Sequence, residues 1–229
     1  MDFARVTLQA PNGRLAELTA FYATQLAAVT ASEQGELRIG ATVLVFADAP
    51  GDPFYHFAFL VPGDRFDAAM QWAQPHVDLL PDAESGDVVV EFDNWDARAF
   101  YFHDPVGNIV EMIAHNGLCE SGATGAFDPS ELLGVSEIGL IGNSDEIAAS
   151  LERIGLRLCD GALLPGRLAF FGERAKTLIV ASPGRGWLPT GRPAEVHPID
   201  VVITGKPAGA VVVGPHRIQC LPQRSDLER

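Results

Sequence analysis

No apolar run in the chain approaches the roughly 18 residues that a membrane-crossing helix needs. The opening Met-Asp-Phe-Ala-Arg shows none of the basic-then-apolar layout of a signal peptide. Both absences predict a cytoplasmic protein with no membrane partner. Cysteine is scarce: Cys119, Cys159 and Cys220 are odd in number and widely spaced. That argues for reduced thiols over a disulfide framework, and without a Cys-x-x-Cys a structural zinc site is not expected. Positive charge is short as well, 16 Lys and Arg against 30 Asp and Glu, for a net charge of −14. Phosphate backbones attract Lys and Arg, so a nucleic-acid partner is not expected. What the chain does have is 13 Phe and an apolar fraction of 47%, enough for a well-buried core. A length of 229 residues fits one large or two small domains.

A strand-then-helix plan recurs along the chain. Ala4 to Ala10 alternates like a strand, and Leu15 to Tyr22 has helical spacing. Tyr55 to Val61 is followed by Pro62-Gly63-Asp64, with Asp64 as the expected N-cap of a helix from Arg65 to Ala73. Ser136 to Ile141 precedes Asn143-Ser144-Asp145, which should cap Glu146 to Ile154. Pro198 to Thr204 is a fourth opening, but Lys206-Pro-Ala-Gly209 stands where its helix should start. Further strands fall at 37–39, 42–46, 88–92, 99–102, 109–113, 168–171 and 177–180. The pattern is βαβββ four times, with the last copy truncated and its final hairpin missing. A Gly-, Ser- and Asp-rich stretch at 117–133 reads as a linker between residues 1–116 and 134–229. The expected class is α+β: tandem βαβββ modules, each paired with its sequence neighbour into a cup-shaped mixed sheet, in two domains.

Strand alternation sorts the side chains. Val6 and Leu8 should pack beneath a helix, leaving Arg5, Thr7 and Gln9 facing the cup. Phe57 and Phe59 likewise leave His56, Ala58 and Leu60 facing it. Ile109, Glu111 and Ile113 share a face with Ala99, Tyr101 and His103 across the turn Asp104-Pro-Val-Gly-Asn108. Each feature has a plain explanation. The turn is good turn chemistry, a lone strand His is usually a hydrogen-bonded core residue, and Glu111 can pair with Arg5. Together, an imidazole and a carboxylate converging in a cavity can bind a divalent metal or share a proton.

Tyr55-His-Phe-Ala-Phe-Leu-Val-Pro62 and Phe100-Tyr-Phe-His-Asp-Pro-Val-Gly-Asn-Ile-Val-Glu-Met-Ile113 resemble the vicinal oxygen chelate superfamily of glyoxalases, fosfomycin- and bleomycin-resistance proteins and extradiol dioxygenases. The resemblance is good over residues 3–116 and weaker over 134–204. It implies a metal held by His56 and Glu111, with Mn, Fe, Ni or Zn all admissible. The family's third ligand position falls on Arg5, which stays protonated and cannot ligate. Glu137 occupies the corresponding place of the third repeat, His197 stands beside the fourth, and no second complete metal site is expected. The resemblance makes Glu111 and Tyr101 the candidate catalytic groups. Arg5, Thr7, Gln9, Ala58, Trp95 and His103 become candidate contacts to a small-molecule ligand. Gly184-Arg-Gly-Trp-Leu-Pro189 is similar to a stretch of two-copy bacterial relatives and reads as a rigid loop over the cup mouth. Two functions follow: a metal-dependent lyase, isomerase or ring-cleaving dioxygenase, or a metal-free binding protein of the bleomycin-resistance type in which Arg5 pairs with Glu111. Monomer and homodimer both fit.

Overall fold

The structure, a computed structural model, describes residues 1–26 and 36–223 and the backbone of residues 29–30. The first repeat comprises β1 (Asp2–Pro11), α1 (Leu15–Gln25), β2 (Val29–Thr30), β3 (Glu36–Ile39) and β4 (Thr42–Ala49). The second comprises β5 (His56–Leu60), α2 (Phe66–Ala73), β6 (Val90–Phe92), β7 (Ala97–His103) and β8 (Ile109–His115). The third comprises β9 (Val135–Ile141), α3 (Ser144–Arg153), β10 (Leu158–Gly161), β11 (Ala169–Glu173) and β12 (Lys176–Ala181). A short ribbon, β13 (Gly186–Trp187) and β14 (Arg192–Pro193), leads to β15 (Asp200–Thr204), β16 (Gly209–Val213) and β17 (His216–Leu221).

Local chemistry explains where the helices begin. The Asn143 side chain accepts from the amides of Asp145 and Glu146 and so starts α3 as expected. Asp64 does not cap α2, whose N-cap is Arg65 without a side-chain hydrogen bond. The Asp64 carboxylate accepts instead from the amides of Ser121 and Gly122. Arg65 reaches the Glu131 carboxylate and the carbonyls of Gly125 and Ala126. The stretch expected to be a plain linker is thereby fastened to the second repeat.

The repeats pair differently from the expectation. One sheet of seven strands runs β16-β17-β15-β1-β4-β3-β2, and another of eight runs β10-β11-β12-β9-β5-β8-β7-β6. β1 lies antiparallel to β15, and β5 antiparallel to β9. The first repeat therefore joins the fourth and the second joins the third, so each sheet draws strands from both sides of residues 117–133. The fourth repeat lacks a helix, but its final hairpin is present: β17 runs parallel to β15 and antiparallel to β16. Gln219, opposite Val202, stands where Glu111 stands opposite Ala58.

A single apolar core lies between the sheets. It unites Val6 and Leu8 of β1, Phe57 and Phe59 of β5, and Leu18, Tyr22, Phe66 and Leu151 of the helices. Burying each such Phe contributes about 1.5–3 kcal/mol. A smaller cluster, including Ala58, Tyr101, Ile113, Ile179 and Trp187, covers the opposite face of the eight-stranded sheet and lines its cup.

Candidate functional site

The cup of the eight-stranded sheet holds a cavity of about 240 Å³. His56, Tyr101 and Glu111 enter it from the second repeat and Glu137 from the third. The turn expected at Asp104–Asn108 sets the register. Gly107 takes φ +85°, and the Asp104 carboxylate accepts from Val106 N, Asn108 N, Asn108 Nδ2 and the Tyr22 hydroxyl. Asn108 Oδ1 in turn accepts from Tyr55 N at 2.8 Å, which locks the start of β5 to β8. Tyr101 consequently lies directly across from Glu111, and Ala58 lies beside it on the other flank. Ala58 is also the partner of Glu137 on β9. Two carboxylates thus flank a single methyl group, and the small side chain leaves them room to converge above it.

His56 Nδ1 is 3.1 Å from the carbonyl of Ile109, to which it donates. Nε2 then faces the cavity, 3.4 Å from Glu111 Oε2, and both side chains are almost fully buried. Burial first, then the charge of Glu111, pushes the Glu137 carboxyl well above the usual carboxylate range. Among the described residues its Oε1 has no hydrogen-bond partner. Burial, followed by the charges of Glu111 and Glu137, also raises the Tyr101 phenol well above its ordinary value, which keeps it a proton donor. The cavity thus presents one imidazole nitrogen, the Glu111 side chain, one carboxyl that favours its proton, and one phenol.

The ribbon β13–β14 supplies the mouth. The Trp187 indole lies 4.7 Å from the His56 ring, centroid to centroid. It fits there because Gly139 on β9 has no side chain: a Cβ at that position would approach the indole to 2.8 Å. Trp95 closes another side, in contact with Phe170 and hydrogen-bonded to Asp160.

The structure brings together His56, Glu111, Tyr101, Trp95 and, between the two carboxylates, Ala58. Arg5, Thr7 and Gln9 are not part of this cavity: β1 belongs to the other sheet. Arg5 pairs with Glu36 and not with Glu111. The Gln9 amide nitrogen donates to the Tyr55 hydroxyl at 3.1 Å. His103 is exposed at the end of β7, beside Phe21 and His76 in a separate hollow. His197 contacts Glu195 and packs on Phe54 and Tyr55. Because the second repeat pairs with the third, Glu137 stands at the partner position that neighbour pairing would have given to Arg5. Its signal was in the sequence, a carboxylate inside the apolar Val135–Ile141 strand, the same anomaly that marks Glu111. Arg185, Asp160, Phe170 and Trp187, which also line the cavity, carry no such signal.

Among the described residues, no group of three or more His, Cys, Asp or Glu side chains stands close enough together to hold a metal ion. The donors nearest to that arrangement are His56 Nε2, the Glu111 carboxylate and the unpartnered Oε1 of Glu137. In kind, these nitrogen and oxygen donors suit a first-row divalent ion.

The architecture, paired βαβββ repeats forming cup-shaped sheets, is the vicinal oxygen chelate fold. Solved structures that match nearly the whole chain include the following two. One is a provisionally assigned dioxygenase from Bacillus subtilis subsp. subtilis str. 168, at TM-score 0.56 and 16% identity, over 96% of this chain and 85% of that one. The other is glyoxalase I from Zea mays, at TM-score 0.54 and 11% identity, over 99% of this chain and 94% of that one. No protein-family model matches the chain, and no curated protein matches it.

Proposed function

We propose that the protein is an enzyme that holds a divalent first-row metal on His56 and Glu111, with Glu137 beside them as a proton-carrying carboxyl, and transforms a small oxygen-bearing organic molecule. The carrying observation is the buried His56 Nε2–Glu111 Oε2 approach of 3.4 Å inside the cup, with the second imidazole nitrogen already committed to Ile109. A metal there would act as a Lewis acid on negative charge developing at substrate oxygens. The chain's own groups do the rest. The Ile109 carbonyl fixes the imidazole tautomer. Glu137 holds a proton at a buried carboxyl close to the Glu111 charge and is the group placed to deliver or recover it. Tyr101 remains a phenol and orients Glu111. Trp187 and Trp95 exclude water from the reacting face. Dioxygenase and glyoxalase I, names of two of the matches that span nearly the whole chain, support a choice among ring cleavage, isomerisation and lyase chemistry.

The absence of a ready three-donor group favours a second reading, a metal-free binding protein using the same cup. Elemental analysis of protein purified without chelators separates the two. The enzyme reading expects about one first-row metal per chain, lost in His56→Ala and weakened about 10- to 100-fold in Glu137→Ala. Metal content untouched by His56→Ala, or none in the native protein, would establish the binding reading.

A further inference from the structure

Two charged lining residues are not used by the proposed chemistry: Asp160, which is hydrogen-bonded to Trp95 and Asn94, and Arg185. Arg185 sits at the start of the mouth ribbon, where its backbone is fixed by hydrogen bonds with Ala194 and Ser182. Its side chain is half-buried and lines the cavity. Nη1 donates to the adjacent Gly186 carbonyl, and among the described residues the guanidinium makes no ion pair with any carboxylate. Among the described residues Arg38, Arg153, Arg157, Arg167, Arg174 and Arg192 also make no ion pair, and Arg185 differs from them in lining the cavity. Arg5, Arg14, Arg65, Arg98 and Arg217 each have an acidic partner. Burial draws the Arg185 pKa down from its ordinary value, opposed by Tyr101. A desolvated guanidinium presents a planar fork of donors matched to a carboxylate. The walls of the same cavity include the aromatic side chains of Trp95, Phe170 and Trp187.

We propose that Arg185 is the anion anchor of this cavity and that the molecule bound there is a small aromatic carboxylate, its ring between the aromatic walls and its carboxylate on the guanidinium. The anchor stands on the cavity alone. The clause that the ligand's remaining oxygens point toward His56 and Glu111 rests on the function proposed above. The size agrees, since about 240 Å³ suits a one-ring molecule better than a drug-sized one. An aromatic ring also loses little conformational entropy on being held by rigid walls.

Benzoate and benzamide are isosteric probes that differ in charge, and their affinities can be read from ligand-observed NMR and tryptophan fluorescence. Native protein should bind benzoate about tenfold more tightly than benzamide or better, as a charge-assisted hydrogen bond predicts. Arg185→Gln should reduce benzoate affinity about tenfold and leave benzamide within about twofold, while Arg185→Lys should retain part of the preference for benzoate. Benzamide binding in the Gln variant reports an intact cup, so misfolding cannot imitate the result. Equal affinities in the native protein, no binding of benzoate, or a preference that survives Arg185→Gln would overturn the anchor. Metal content separates this from the function above: Arg185→Gln should keep it, and His56→Ala should keep the benzoate preference.

Discussion

Ala58 and Gly139 show how two missing side chains build a site. Neighbouring strands lie about 4.8 Å apart, so Glu111 and Glu137 start about two strand spacings from each other, one on each side of the small Ala58, and both line the cavity. A larger residue there would keep them apart, and the repulsion that lifts the Glu137 carboxyl would weaken. Gly139 does for the mouth what Ala58 does for the floor. In Gly139→Ala the new methyl meets the Trp187 indole at 2.8 and 2.9 Å, so the ribbon has to shift. Overpacking of this kind costs about 1–3 kcal/mol. The expected result is a melting temperature lower by roughly 2–10 °C together with a changed Trp187 emission; an unchanged melt and spectrum would contradict the packing. His115 makes a pH-dependent contribution. It is fully buried against Trp95, and burial brings its pKa down to about 4. The same imidazole in the unfolded chain titrates near 6.5. Between those values the unfolded state binds more protons, so stability falls as pH drops from about 6.5 to about 4. His216 shifts in the same direction, while Glu137, raised by burial, works against the trend. His115→Phe should remove up to about 3 kcal/mol of the acid-induced loss, measured as urea midpoints at successive pH values in both proteins.

The Asp104–Asn108 turn and the β13–β14 ribbon are elements of opposite legibility. The turn can be read from its residues, because Pro105, Gly107 and two short polar side chains have few other conformations open to them. Its structure adds a second function: one buried carboxylate collects four hydrogen bonds, one of them from Tyr22 of the first repeat, and holds Asn108, whose Oδ1 ties β8 to the start of β5. Asp104→Ala strips those partners inside a dry interior, where each unsatisfied group costs about 1–3 kcal/mol. The expected loss is roughly 3 kcal/mol or more, with the His56–Glu111 alignment loosened as β5 and β8 slip. Asp104→Asn should recover part of it, because an amide oxygen still accepts from the backbone of Val106 and Asn108. Equal stability of the Ala and native proteins in urea would show the network to be dispensable. The ribbon is two residues per strand, too short for alternation to register. A loop over the mouth was legible, but the inward reach of Arg185 and Trp187 was not, since that depends on Gly139, far away in the chain.

Across the whole molecule, the sequence supports the repeats, the faces of their strands and the His56–Glu111 pairing, because each rests on periodicity within about 50 residues. It does not reveal which repeats share a sheet. The outer edges of β1 and β5 read alike, and nothing local distinguishes a partner 50 residues away from one nearly 200 away. Alternation therefore separates Arg5, Thr7 and Gln9 from the buried Val6 and Leu8, but does not say which sheet's cup they belong to. The observed pairing has a consequence for how the chain can be divided. β1 is hydrogen-bonded to β15 and β5 to β9, and one apolar core spans strands from both sides of residues 117–133. Residues 1–116 alone would bare two open strand edges and the matching half of that core, a condition that favours aggregation. We expect this fragment to remain unfolded or insoluble when produced alone, and to recover a dispersed amide spectrum when co-produced with residues 134–229. The intact chain should unfold in a single transition by circular dichroism and by tryptophan fluorescence alike. A soluble, monomeric 1–116 with native-like amide dispersion, or two separate transitions in the intact chain, would mean that the second and third repeats do not depend on each other for their shared cup.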